Sequence, residues 1–202
     1  MAFDYPQSPH HRRHAPAGYR NYQSYKPWLR DEFTFRCVYC LCRERWFPDG
    51  DAAFGTDHLQ PQAAAPDLQT QYDNLVYACC QCNSIKGDSE VPNPCQHAFG
   101  KHVNILNDGT AQPCSSMGTE LAEICRLNRP RLVAFRRGMI ELLGLLGRRQ
   151  SEQARKLLQT YLGYPPSLPN LSELRPPSND NPEGVRRSYY AQRQRGELPE
   201  TY

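Results

Sequence analysis

The chain has no run approaching about 18 consecutive apolar residues, which excludes a hydrophobic membrane span. Its first residues contain no apolar stretch of the kind that directs secretion. His10, His11, Arg12, Arg13 and His14 stand there instead, so a cytoplasmic protein is expected. No internal repeat is visible, which sets aside solenoids and propellers. Apolar residues are few, 39% of 202, and 18 prolines accompany a mean hydropathy of −0.76. Such a composition suits one modest core with loop-rich or unfolded flanks.

Cysteine is plentiful: nine residues, an odd number. In a reducing compartment, clustered thiols hold metal more often than they form disulfides. The net charge of +3 is unevenly spread. Residues 1–30 carry five basic and one acidic side chain, net +4; residues 31–90 carry four and ten, net −6; residues 91–202 carry fifteen and ten, net +5. Two basic flanks around an acidic, cysteine-rich middle suit a polyanion partner and a cation-holding centre.

The chain divides into four parts. Residues 1–30 form a basic, aromatic arm, with Tyr5, Tyr19, Tyr22, Tyr25 and Trp28 interleaved with Arg20, Lys26 and Arg30; its early part is expected to be disordered. Residues 31–90 form the core, with strand character over Phe54 to Leu59 and Asn74 to Tyr77, and a helix opening at Cys79 that Gly87 stops. Residues 91–164 begin irregularly, through 118, and then turn helical. Leu132, Phe135, Met139, Leu142, Leu143 and Leu146 share one face at 3.6 spacing, with Arg136, Arg137 and Glu141 turned away from it. A second helix is expected from the N-cap Ser151 to Leu162. Residues 165–202, rich in Pro, Ser, Asn and Arg, read as a disordered tail.

Cys37-Val38-Tyr39-Cys40 and Cys79-Cys80-Gln81-Cys82 are two Cys-x-x-Cys pairs separated by 38 residues. A two-residue gap lets both sulfurs of a pair reach one ion, and two pairs complete a closed tetrahedron around structural Zn²⁺. The 31–90 segment has too few apolar residues to fold unaided, so such a staple also answers an energetic need. Between the pairs lie Asp57-His58 and, further on, Asn74; Asn83 directly follows the last cysteine. Adjacent strand residues face opposite ways, so Asp57 and His58 need a strand end or bulge to act on one site. His97, His102 and Cys95 lack a closing ligand pair and read as loop residues, His10, His11 and His14 as a loose basic tract, and Cys114 and Cys125 as small buried side chains.

The pattern Cys37-x-x-Cys40, Asp57-His58-x-x-Pro61, Asn74-Leu75-Val76, Cys79-x-x-Cys82-Asn83 and Lys86-Gly87 resembles the HNH endonucleases, in their four-cysteine zinc branch. The resemblance covers about residues 33–88. It implies an α+β chain built on a ββα-metal core, a hairpin and a helix stapled by zinc, with an added C-terminal helical segment and disordered tails. It further implies that His58 is the general base, that Asp57 and Asn83 hold a catalytic Mg²⁺ or Mn²⁺, and that Asn74 braces the loop or orients His58. Lys86 and Arg36 are expected to contact nucleic acid, or Lys86 to cap its helix. Asn83 stands where many members carry a third histidine, which favours Mg²⁺ or Mn²⁺ over softer cations. The implied activity is hydrolysis of phosphodiester bonds of DNA, double-stranded by preference. Small stand-alone members resemble components of phage-defence systems, so a regulatory partner such as an ATPase is also expected. The rival is a non-catalytic zinc module that binds nucleic acid or protein; it leaves Asp57, His58, Asn74 and Asn83 without a task.

Overall fold

The computed structural model describes residues 2–149 and 151–202. A two-residue strand, β1 (Pro16–Ala17), and helix α1 (Lys26–Glu32) precede a hairpin of β2 (Phe54–His58) and β3 (Leu75–Cys79), and α2 (Cys80–Lys86) follows without a break. Next come β4 (Val103–Ile105), β5 (Ala111–Pro113), α3 (Ser116–Ile124), α4 (Pro130–Gly147) and α5 (Glu152–Leu162). The last stretch holds β6 (Ser178–Asn179), α6 (Pro182–Arg186) and α7 (Tyr189–Gln194).

The β2–β3–α2 unit is the centre, and its sequence accounts for it. The strands pair antiparallel with Phe54 opposite Cys79 and His58 opposite Leu75. Phe54 and Tyr77 stack at 5.1 Å between ring centroids. All five residues of β3 are buried, because α1 and α2 both pack against it; a strand covered on two sides reads as a continuous apolar run. Cys79 caps α2, its sulfur accepting the Cys82 N–H at 3.4 Å, so the cysteine spacing also starts the helix. Gly87, at φ +54°, ends it with the left-handed residue that glycine adopts at least cost.

Helix α4 differs from its expected face. Leu132, Met139 and Leu146 are buried as their periodicity requires, but Phe135 is 36% exposed and Arg136 is fully buried. The Arg136 guanidinium donates to Leu127 O at 3.0 Å, Gly109 O at 3.4 Å and Cys40 O at 3.5 Å. Helical periodicity treats arginine as a surface residue; carbonyls brought in by three separate segments make this one internal. Residues 91–118, expected to be irregular, contain the β4–β5 hairpin and the start of α3, capped by Ser115 Oγ. Gly109 in that turn has φ +86°, and a Cβ there would come within 2.3 Å of Val133 O. Only glycine lets the hairpin lie against α4.

The segments expected to be disordered are docked. Phe3 and Tyr5 of the early arm are buried, and His14 Nε2 lies 2.8 Å from Asp31 Oδ1. Burial raises the Glu32 carboxyl, but bonds from His10 and the Arg13 N–H outweigh it and hold the group down at about 2. At the other end β6 pairs with β1, Asn181 donates to Arg13 O at 2.9 Å, and the Tyr189 N–H donates to Asp31 Oδ2 at 2.8 Å. Composition alone signals disorder here; hydrogen bonds to two acids of α1, together with the burial of Phe3, Tyr5, Leu168 and Leu171, supply the order instead. Among the described residues no helix is long and apolar enough to cross a membrane.

Candidate active site and metal centre

The Cys37–Cys40 turn closes through the Leu41 N–H to Cys37 O, with Leu41 at φ +63°. It brings Cys37 and Cys40 against Cys79 and Cys82. The four sulfurs lie within 4.8 Å of one another, and all four residues are buried. Cys40 and Cys79 sulfurs are 3.8 Å apart. Zinc–sulfur bonds of about 2.3 Å in a tetrahedron give sulfur–sulfur edges of about 3.8 Å, so the donor set fits zinc. Cys80 is exposed and Cys42 lies outside the cluster, so the sulfurs that gather are those of Cys37, Cys40, Cys79 and Cys82. Cys125 is buried as expected, whereas Cys114 is exposed.

Four thiolates around one Zn²⁺ leave a net charge of −2, and the charge is partly met from outside the hairpin. Arg129 donates to Cys82 Sγ at 3.4 Å and to Gln81 Oε1 at 3.3 Å. Contacts from Cys37, Cys40 and Cys79, joined by Arg129, hold the Cys82 thiol well below its ordinary value. Partners of this kind alter metal affinity by roughly 10- to 100-fold. Arg129→Gln is therefore expected to speed zinc release to a chromogenic chelator by about tenfold or more, with Arg129→Lys falling between. Equal release rates in all three proteins would show the contact to be incidental.

Asp57 and His58 sit at the end of β2 and face opposite sides of it, with no bulge between them. Asp57, 4% exposed, accepts from the Tyr39 hydroxyl at 2.7 Å and the His58 N–H at 2.8 Å, and lies 3.5 Å from Lys86 Nζ. Burial pushes its carboxyl above the ordinary range, against the opposing pull of Lys86 and Tyr39. His58 is enclosed differently. Nε2 lies 3.0 Å from Gln69 O, Nδ1 lies 3.3 Å from the Gln62 side-chain nitrogen, and the Tyr22 ring packs edgewise at 4.7 Å. A carbonyl only accepts, so the Nε2–H points at Gln69 and the ring's lone pair is on Nδ1.

Asn74 braces the connecting loop. Its amide accepts the Gln60 N–H at 2.9 Å and donates to Gln60 O at 3.0 Å and Leu68 O at 3.3 Å. Asn83, on α2, donates to Thr56 O at 3.4 Å, one residue before Asp57, and its Oδ1 has no partner among the described residues. A carboxylate and an amide oxygen are hard donors of the kind that Mg²⁺ or Mn²⁺ takes, and here the carboxylate is held by Tyr39 and Lys86 while the amide oxygen is free among the described residues.

Lys86 and Arg36 are not where a nucleic-acid contact would put them. Lys86 is 2% exposed and faces Asp57. Arg36 is half-buried, its guanidinium 5.0 Å from the centre of the Tyr202 ring. Helix α2 turns Lys86 inward, three residues after Asn83, while the last segment of the chain covers Arg36. Tyr39, Gln62 and Tyr22 also enclose the site, although the family pattern does not mark them. Tyr39 is legible inside the first cysteine pair, Gln62 stands four residues after His58, and Tyr22 belongs to the basic, aromatic arm at 1–30.

A zinc-type cluster clamping a hairpin to a helix, with Asp-His at the end of its first strand, defines the ββα-metal class. Residues 37–89 match the family model described as HNH endonuclease. A similar curated protein is the Septu protein PtuB of Bacillus thuringiensis, 30% identical over 77 residues. The match covers 36% of this chain and 29% of the length of that relative.

Proposed function

We propose that the protein is a metal-dependent HNH endonuclease that hydrolyses phosphodiester bonds of DNA, with His58 as general base. The observation that carries this reading is the orientation of His58. The Gln69 carbonyl fixes the proton on Nε2 and leaves Nδ1 as the basic atom, met among the described residues only by the side-chain amide of Gln62. A water displacing that amide would give its proton to Nδ1 as its oxygen attacks phosphorus, and the bond to the 3′ oxygen breaks as the new one forms. Asp57 and Asn83 would hold Mg²⁺ or Mn²⁺, whose charge offsets the negative charge developing on the phosphate oxygens. Asn74 acts at one remove, by keeping the 60–68 loop in place behind His58.

His58→Ala should lower plasmid nicking by roughly 10²- to 10⁴-fold while leaving the fold intact. Equal cleavage by both proteins, in Mg²⁺ or Mn²⁺, would remove His58 from the role. The likeness to a Septu protein supports a further reading, an effector in a phage-defence system that works with a regulatory partner such as an ATPase. Co-purification of such a partner, with nicking stimulated by it, is the expected result.

One observation favours the non-catalytic zinc module instead: Asp57 is already bound by Tyr39 and Lys86 and nearly closed to solvent. Nucleic-acid binding without any metal-stimulated nicking would select that reading.

A further inference from the structure

Beside the proposed catalytic residues lies a groove of about 470 Å³, lined by Tyr22, Gln23, Lys26, Phe54, Gly55, Thr56 and Asn83. Two of its walls, β2 and α2, belong to the HNH segment. The third is the 3-10 turn Tyr22–Tyr25 with Lys26, from the arm that precedes that segment. Thr56 is 8% exposed, yet its hydroxyl has no hydrogen-bond partner. A buried hydroxyl left unpaired costs about 1–3 kcal/mol, so an unpaired one at a groove points to a ligand that completes it. Among the described residues, the Tyr22 hydroxyl, the Gln23 side-chain amide and Asn83 Oδ1 make no hydrogen bond to protein and, being wholly or partly exposed, are open to a ligand that displaces water. One buried unpaired hydroxyl and three water-accessible polar groups, donors and acceptors both, thus line one groove.

The groove's charge decides what it takes. Its one cation, Lys26, already donates to Asp51 O at 2.8 Å and pairs with Asp51 Oδ2 at 3.6 Å. The remaining polar groups are neutral hydroxyls and amides, which suit a sugar hydroxyl or a base edge better than a phosphate. At Gly55 an added Cβ would meet no atom within 4 Å, so the wall is open there rather than filled. The groove also adjoins the reacting groups: Asn83 lines it, and the Tyr22 ring touches His58.

We propose that this groove seats a nucleoside, sugar and base, of the strand cut at the neighbouring phosphate, with Tyr22, Gln23 and Thr56 as its hydrogen-bonding residues. The proposal rests on the nuclease reading and adds where the substrate strand lies and which arm residues hold it.

The test uses the full chain carrying His58→Ala, without added divalent cation, and fluorescein-labelled single-stranded and duplex oligonucleotides followed by anisotropy. In that background Thr56→Val, Gln23→Ala and Tyr22→Phe should each weaken binding by about two- to tenfold. The slope of log affinity against log salt should stay unchanged, because no phosphate contact is touched. Gln23 is exposed and its side chain makes no hydrogen bond among the described residues, so Gln23→Ala reports even if Thr56→Val fails to fold. Unchanged affinity in the folded variants, with the parent still binding, would overturn the groove alone. A parent that binds neither oligonucleotide, together with a wild type that cleaves neither, would overturn the nuclease reading and the groove with it.

Discussion

Stripping zinc from the four-cysteine cluster is expected to unfold the centre of the protein. Binding of a structural zinc supplies about 10–16 kcal/mol of folding free energy, against a net stability of about 5–15 kcal/mol for an ordinary domain. Here the cluster joins the Cys37–Cys40 turn to the β3–α2 junction, and the 38 residues between the two pairs hold the whole of β2 and most of β3. Losing the ion would leave four buried thiols facing one another around an empty centre. Dialysis against a strong chelator, or Cys40→Ser, should abolish the cooperative thermal transition seen by circular dichroism, and added zinc should restore it only in the wild-type chain. Chelated protein that keeps both its transition and its spectrum, with zinc absent by elemental analysis, would show that the cluster is not a structural staple.

The second large effect is expected at Lys86. Replacing it with Met leaves the Asp57 carboxylate buried with only the Tyr39 hydroxyl and one N–H for company. Removing one partner of a buried ion pair costs about 3–5 kcal/mol, because the other charge is left uncompensated. Lys86→Met should therefore lower the urea midpoint substantially. Asp57→Asn combined with Lys86→Met should recover much of the loss, since no buried charge is then left alone. The cycle separates this account from simple loss of packing, which the second substitution would not repair. A Lys86→Met cost below about 1 kcal/mol would place the pair with ordinary surface ion pairs.

The four clustering cysteines, both central strands and the start and stop of α2 could be read directly, because each rests on local grammar. Two-residue cysteine gaps, a glycine after the helix and short apolar runs all act within a few residues. Helix α4 was legible in extent and wrong in part of its face. Arg136 is internal because Leu127, Gly109 and Cys40 turn carbonyls toward it, and no periodicity records that. The flanks failed for the same reason at longer range. A polar, proline-rich stretch shows little apolar drive in its composition, and its order comes from a few buried side chains such as Phe3, Tyr5, Leu168 and Leu171 and from distant partners, Asp31 and Glu32 among them. In the candidate site the residue types were legible and their surroundings were not. His58, Asn74 and Asn83 stand out in the sequence, while the inward turn of Lys86 and the ring of Tyr22 over His58 depend on tertiary packing.

The family-matched stretch borrows much of its support. Tyr5 donates its hydroxyl to Tyr39 O, Arg136 reaches Cys40 O, and Arg129 reaches Cys82 Sγ, so three neighbours from outside residues 37–89 serve the knuckle that the zinc would close. Transplanted alone into another scaffold, that stretch would carry every ligand with it and leave its electrostatic lining behind. The ββα unit of this protein is thus a guest whose host is written on both sides of it.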